Sequence, residues 1–237
     1  MVNECIILAG GLGTRLRSVI SEIPKCMAPV AGKPFLAYVI GYLQKQGIEN
    51  FIFAVGYKTE VIERYLHKEY STINYKLSIE HEPLGTGGAI KLACSKATQK
   101  NVLVVNGDTF FAIDLIKLAA FHKLCGADCT LSLKPMQSFD RYGVVELNKD
   151  YSIRSFKEKQ FYETGLINGG VYALYAEKFL RESLPEKFSF EKEYLEKKVS
   201  LANDDKRMYG VVQDKYFIDI GIPEDYERAQ IELPQTG

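Results

Sequence analysis

Cys5-Ile6-Ile7-Leu8-Ala9-Gly10-Gly11-Leu12-Gly13-Thr14-Arg15-Leu16 is a short apolar run that opens into a glycine-rich turn. Residues 5–9, aliphatic and bounded by Glu4 and the glycines, predict a buried strand. Gly10, Gly11 and Gly13 let the backbone come close to a ligand and point successive N–H groups at an anion. In an open parallel sheet, ligands bind outside the carboxyl ends of the strands, so this turn is a candidate phosphate cradle. It is neither of the two familiar cradles. The dinucleotide fingerprint needs a glycine where Leu16 stands, and Gly32-Lys33 is followed by Pro34 and not by the hydroxyl residue of a Walker loop.

Outward from this turn, residues 51–55, 102–106 and 129–133 repeat the strand signal. Helical patterns separate them. One covers 34–46 with Gly47 as its stop; others start at Thr59, which can cap a helix, and near Gly87, and a fourth spans 114–124 before Gly126. Strands alternating with single helices predict an α/β fold, Rossmann-like, with a mostly parallel central sheet flanked by helices. In the second half, 142–147, 153–157 and 166–174 follow one another too closely for crossovers, and predict a small antiparallel β extension. A strand at 217–220, with Asp219 near the edge of the sheet, and a helix over 224–231 complete the chain. No repeat or linker divides it, so 1–237 is expected to form a single domain.

The chain has 237 residues, 46% of them hydrophobic and 25% charged, with 30 Lys+Arg against 30 Asp+Glu. The resulting zero net charge argues against a broad basic surface and hence against nucleic acid as a partner. Five scattered cysteines without a C-x-x-C pair fit a reducing compartment. No basic region and cleavage site flank residues 5–9, and no stretch reaches the roughly 20 apolar residues of a membrane span, so a cytoplasmic protein without membrane contact is expected. The sequence leaves the oligomeric state open. His67 and His81 have no partner legible in sequence, and Cys125, Cys129 and His122 lack a fourth ligand for a metal site.

The glycine turn gains meaning from Pro24-Lys25-Cys26-Met27-Ala28-Pro29-Val30-Ala31-Gly32-Lys33-Pro34. Together they read G-G-x-G-T-R-L…P-K-x-M-x-P-x-x-x-K-P. Val105-Asn106-Gly107-Asp108, Arg141-Tyr142-Gly143-Val144, Phe156-Lys157-Glu158-Lys159, Ile167-Asn168-Gly169-Gly170 and Phe217-Ile218-Asp219-Ile220-Gly221 follow in order. This set resembles the sugar nucleotidyltransferases of the mannose-1-phosphate guanylyltransferase type. The resemblance implies a nucleotide-diphospho-sugar transferase (GT-A-like) fold and two small-molecule partners, a nucleoside triphosphate and a sugar 1-phosphate, joined with release of pyrophosphate.

That reaction brings two anions together, so neutralising charge is its main demand. Arg15 offers a planar fork for triphosphate oxygens, and Lys25 a point charge that can follow the α-phosphate into the transition state. The resemblance assigns both residues the same catalytic roles. Leu8, Ala9, Gly10, Gly11, Gly13, Thr14, Glu82, Gly85 and Thr86 fall at nucleotide positions, and Asp108 and Asp219 at those of a carboxylate pair for one Mg²⁺. For the sugar phosphate the resemblance points to Lys159 for the phosphate and Glu158 for vicinal hydroxyls, with Tyr142, Gly143, Asn168 and Gly169 lining the pocket.

Guanine presents N1–H and a 2-amino group on one edge, and a carboxylate at Glu82 in Glu82-Pro83-Leu84-Gly85-Thr86-Gly87-Gly88 suits it. GTP is therefore the expected nucleotide. The family's short forms, catalytic cores without an appended β-helix, match best in the branch that uses a manno-configured heptose 1-phosphate, D-glycero-α-D-manno-heptose 1-phosphate, to make GDP-heptose for bacterial surface polysaccharides. Guanylyl, uridylyl or thymidylyl transfer to another sugar 1-phosphate such as mannose 1-phosphate, or a non-catalytic sugar-nucleotide binder, are the alternatives. Cys26 stands where the family often has proline, which predicts a freer loop around Lys25 with a thiol open to oxidation or alkylation.

Overall fold

The computed structural model describes residues 2–11, 23–200 and 207–235. Gly13, Thr14 and Arg15, expected at the site, lie outside the described residues. The first half comprises β1 (Glu4–Leu8), a 3-10 turn at Lys25–Met27, the ribbon β2 (Pro29–Val30) and β3 (Lys33–Pro34), α1 (Phe35–Lys45), β4 (Asn50–Val55), α2 (Thr59–Glu69), β5 (Asn74–Ile79), α3 (Gly85–Cys94) and β6 (Asn101–Asn106). Strands β5, β4, β1 and β6 are neighbours in that order and all parallel, with Ile6 level with Ile52 on one side and Val104 on the other. The chain thus winds one way from β1 and then returns to its opposite flank. That reversal opens a crevice at the carboxyl ends of β1, β4 and β6.

The second half adds β7 (Thr109–Phe111), α4 (Leu115–Leu124), β8 (Cys129–Phe139), β9 (Val144–Leu147), β10 (Ile153–Lys157), β11 (Tyr162–Tyr175), α5 (Ala176–Arg181), a π-helical segment Phe190–Glu196, α6 (Lys197–Ser200), β12 (Met208–Val212), β13 (Phe217–Asp219) and α7 (Pro223–Glu232). Strand β11 enters antiparallel between β6 and β8, so the strand read at 129–133 is not a direct neighbour of β6. Strand β12 pairs parallel with β8, and the β9–β10 hairpin hangs from β11 at Ile167–Val144. Mostly parallel with a small antiparallel extension, the sheet has the expected class.

Period-two alternation sends successive side chains to opposite faces. Cys5 and Ile7 join Phe51, Phe53, Leu103 and Val105 under α1, α2, α4 and α7. Ile6 joins Ile52, Val102 and Val104 under α3, α5 and the π-helical segment. Both faces are therefore covered, as the continuous apolar runs of a parallel sheet require.

One strand adds to those expected, and two local expectations are corrected. The additional strand, β5, carries no apolar run: among the described residues it pairs only with β4, and its side chains alternate between exposed and partly buried as far as the buried Ser78. Thr59 does not cap α2; its hydroxyl donates to the Gly56 carbonyl, and left-handed Lys58 takes the cap position. Asp219 lies outside the main sheet: β13 pairs antiparallel with β7 in a separate ribbon that sets Asp219 opposite Thr109. Among the described residues no helix is long and apolar enough to cross a membrane.

Candidate active site

A cavity of about 530 Å³ fills the crevice at the strand ends. Leu8, Ala9, Gly10 and Gly11 of the glycine turn line it, with Lys25, Glu82, Gly85, Thr86 and Asp108 of the expected site. Backbone constraints fix this wall. Gly107 donates to the Leu8 carbonyl at 2.9 Å, and a Cβ on Gly107 would lie 2.5 Å from that oxygen, so only glycine brings Asp108 so close to β1.

At one end of the cavity, Lys25 Nζ lies 2.6 Å from Asp108 Oδ2 and 3.4 Å from Asp219 Oδ1. The β7–β13 ribbon makes this possible, and the Ile220 N–H, donating to the Asp108 carbonyl at 3.1 Å, ties the two loops. Burial works against the Lys25 ammonium, but the two carboxylates outweigh it and hold its pKa above the ordinary lysine value. Burial and the neighbouring Asp108 charge push the Asp219 carboxyl up, against the pull of Lys25 and the Gly221 N–H. A cation is thus already held between two oxygen donors. Cys26 beside it is buried, with its thiol pushed up to about 12 by that burial, so the loop is packed and the sulfur is shielded from the alkylation its sequence position suggested.

On the opposite wall, Gly85–Cys94 begins directly at the cavity and is braced from behind. Thr86 Oγ1 accepts the Phe190 N–H at 3.0 Å, the Gly87 N–H donates to the Phe188 carbonyl at 3.0 Å, and the Phe188 N–H to the Leu84 carbonyl at 3.0 Å. A Cβ on Gly87 would fall 2.1 Å from the Phe188 ring, itself buried. Gly87→Ala is therefore expected to destabilise the fold by about 1–2 kcal/mol in a denaturant titration, overpacking exceeding the roughly 1 kcal/mol of helix propensity gained. Unchanged stability would mean the Phe188 contact yields freely.

Glu80 also lines this wall, a residue the sequence reading passed over. It follows β5, an alternating strand that a reading of apolar runs does not mark, which is why its position was not legible. Glu82 stands at the exposed rim.

The residues expected on the sugar side lie beyond the Lys25 end and are not part of the cavity lining. Tyr142 joins them to it: its phenol lies near the Asp219 carboxylate, and burial, with the Asp219 charge second, holds its pKa above the ordinary tyrosine value. Arg141 sits 5.5 Å over the Tyr142 ring and hydrogen-bonds to Asp225. Gly143 is pressed on the Lys157 carbonyl, where a Cβ would lie 2.5 Å from the oxygen; Glu158 and Lys159, next in the chain after Lys157, are exposed. Gly169 leaves room for the Phe111 ring, 2.3 Å from where its Cβ would be. Asn168 is fully engaged within the protein: its amide donates to Tyr172 Oη at 2.8 Å and Glu191 Oε1 at 3.2 Å, and its oxygen accepts the Gly170 N–H at 3.1 Å. It shapes the bend in β11.

A crevice at a strand-order reversal, a glycine turn on its floor and a lysine held between two carboxylates define an α/β enzyme that handles phosphorylated nucleotides. The chain belongs to the nucleotidyl transferase family, whose model matches residues 4–236. It is 54% identical over 230 residues, 97% of this chain and 98% of the relative, to the D-glycero-alpha-D-manno-heptose 1-phosphate guanylyltransferase of Aneurinibacillus thermoaerophilus. The enzyme of the same description from Campylobacter jejuni is 50% identical over 223 residues, 94% of this chain and 96% of its own. Among solved structures, HddC from Yersinia pseudotuberculosis complexed with GMP-PN superposes with a TM-score of 0.84 at 37% identity, covering 97% of this chain and 98% of that one.

Proposed function

We propose that this nucleotidyltransferase joins GTP and D-glycero-α-D-manno-heptose 1-phosphate to give GDP-heptose and pyrophosphate, acting in the cytoplasm as one catalytic domain over 1–237. The observation that carries the reading is the Lys25–Asp108–Asp219 cluster at the mouth of the cavity. The guanylyltransferases at 54% and 50% identity, aligned over nearly their whole lengths, support the choice of substrates.

In this reading an oxygen of the sugar phosphate attacks the α-phosphorus in line; the new O–P bond forms as the bond to the pyrophosphate oxygen breaks, and pyrophosphate leaves with the electron pair. The glycine turn, Gly10 and Gly11 with Gly13 and Thr14, cradles the triphosphate, and Arg15 neutralises its oxygens. Lys25 stays with the α-phosphate oxygens as charge builds there. Gly85 and Thr86 close the base side, and Glu82 selects the base from the rim. Tyr142, Gly143, Glu158, Lys159, Asn168 and Gly169 form the sugar-phosphate side, with Lys159 on the phosphate and Glu158 on the hydroxyls.

Asp108 and Asp219 fit one Mg²⁺: both are hard oxygen donors, and their shared contact with the Lys25 ammonium marks a place where this pair accommodates a cation. When bound, such an ion offsets negative charge on phosphate oxygens. Pyrophosphate release across a panel of triphosphates and sugar 1-phosphates tests the assignment. GTP with the heptose 1-phosphate is expected to give the highest kcat/KM. A preference for UTP or dTTP would defeat the base, and one for mannose 1-phosphate the sugar.

A further inference from the structure

Arg141, Tyr142 and Gly143 connect the ribbon that carries Asp219 to the strand end that leads into Glu158 and Lys159. The Tyr142 ring meets Phe217 edge-on at 6.1 Å, and Phe217 shares strand β13 with Asp219. Arg141 lies 5.5 Å over the same ring. Gly143 is packed so closely on the Lys157 carbonyl, at the end of β10, that a Cβ would fall 2.5 Å from the oxygen. A displacement of this turn is therefore passed on to the end of β10, where Glu158 and Lys159 begin.

An exposed turn needs more than ring contacts to hold it, and here a buried carboxylate does so. Asp225, in the first turn of α7, is buried and carries two ion pairs. Its Oδ2 accepts from Arg141 Nη2, and its Oδ1 accepts from Arg228 Nη1 at 2.8 Å. Arg228 belongs to the same helix and also donates to Glu232, so the Arg141 pair is the one that reaches a separate segment. The Asp225 side chain is only 9% exposed, so water and salt screen the pair less than they do most surface ion pairs. Burial disfavours the Arg141 guanidinium, but the hydrogen bond to Asp225, with charges that include Asp219, outweighs it and raises its pKa. With Arg228 in place, loss of Arg141 does not leave the carboxylate unpaired, so an Arg141 variant is expected to fold.

We propose that Asp225 and Arg141 are a positioning pair for the sugar 1-phosphate: they lock the Tyr142-Gly143 turn, and with it Glu158 and Lys159, at a fixed distance from Asp219 and Lys25. This rests on the sugar-side assignment above. Neither residue touches the reacting atoms in this role; placement is what they supply, and an error of about 1 Å costs up to about a hundredfold. Kinetics with the sugar 1-phosphate that the wild type prefers, beside direct titration of GTP, test it. In Arg141→Gln, kcat/KM for the sugar phosphate is expected to fall about 10–100-fold, while Kd for GTP stays within about twofold. Arg141→Lys keeps a charge opposite Asp225 but not the planar stack on Tyr142, and should recover part of the loss. Asp225→Asn should match Arg141→Gln, and the double variant should fall no more than about twofold below either, because the two act as one unit.

An unchanged kcat/KM for the sugar phosphate in Arg141→Gln would overturn the proposal, as would an equal loss of GTP binding, the mark of a role in stability alone. So would full activity in Asp225→Asn beside a collapsed Arg141→Gln, since Arg141 would then act on substrate without Asp225. Lys159→Gln separates the pair from the assignment beneath it. If Lys159→Gln lowers the sugar-phosphate value and Arg141→Gln does not, only the positioning pair fails. If Lys159→Gln changes nothing, the sugar-side assignment fails and the proposal falls with it.

Discussion

Lys25→Ala is expected to lower kcat at least about a hundredfold, the loss that follows removal of one charge-stabilising donor from a transition state. Lys25 is only 12% exposed and lies 2.6 Å from Asp108 and 3.4 Å from Asp219, so the protein positions its ammonium before substrate arrives. Pre-set charge costs no reorganisation when the α-phosphate goes from its ground state to the crowded, more anionic in-line geometry. KM for GTP should move less than kcat, since glycine-turn N–H groups and the base wall still bind the nucleotide. Lys25→Arg separates charge from geometry: a planar guanidinium keeps the charge but not the compact approach, and only partial recovery is expected. Single-turnover rates under saturating substrates check this directly. An unchanged rate in Lys25→Ala would remove Lys25 from the chemistry and leave it as a spacer between two aspartates.

The parallel half of the fold was legible because strands buried on both faces announce themselves as unbroken apolar runs. Residues 5–9, 51–55 and 102–106 each became a strand of the core sheet within a residue or two. Edge elements gave no such signal. Asn74–Ile79 alternates polar and apolar residues, the period-two signature of a half-buried edge strand that a search for apolar runs passes by, and Met208–Val212 is a short run between polar segments that becomes a strand by pairing with the longer β8. The Phe190–Glu196 segment is likewise a product of packing, with Phe190 and Tyr194 stacked at 5.2 Å and both set edge-on to Phe179.

Site residues were legible where a motif fixes the backbone and not where contact depends on distant pairing. Gly10, Gly11, Gly85 and Thr86 face the cavity as the glycine pattern implied. The meeting of Asp108 with Asp219 was reachable only through the resemblance, because the β7–β13 register that creates it joins segments far apart in the chain. Glu80 was missed for the opposite reason: its neighbour Glu82 has the turn-forming Glu-Pro-Leu-Gly context, while Glu80 has only its position at the end of an unrecognised strand.

Asp219→Asn is expected to cost at least about a hundredfold in kcat/KM at fixed magnesium, through loss of a charge that serves two cations at once. The backbone pairing of Asp219 with Thr109 and the Ile220 N–H bond to Asp108 do not involve the side chain, so the neutral isostere should keep the ribbon in place. What changes is the field. The side chain still reaches Lys25, but one full negative charge at 3.4 Å from the ammonium is gone, and with it one of the two hard anionic donors. If the pair holds a divalent ion, activity against magnesium concentration should need at least about tenfold more metal to reach half its maximum, and Asp108→Asn should behave alike. If Asp219 serves only to position Lys25, the rate falls while the magnesium requirement stays where it was, and the role proposed for the aspartate pair is overturned.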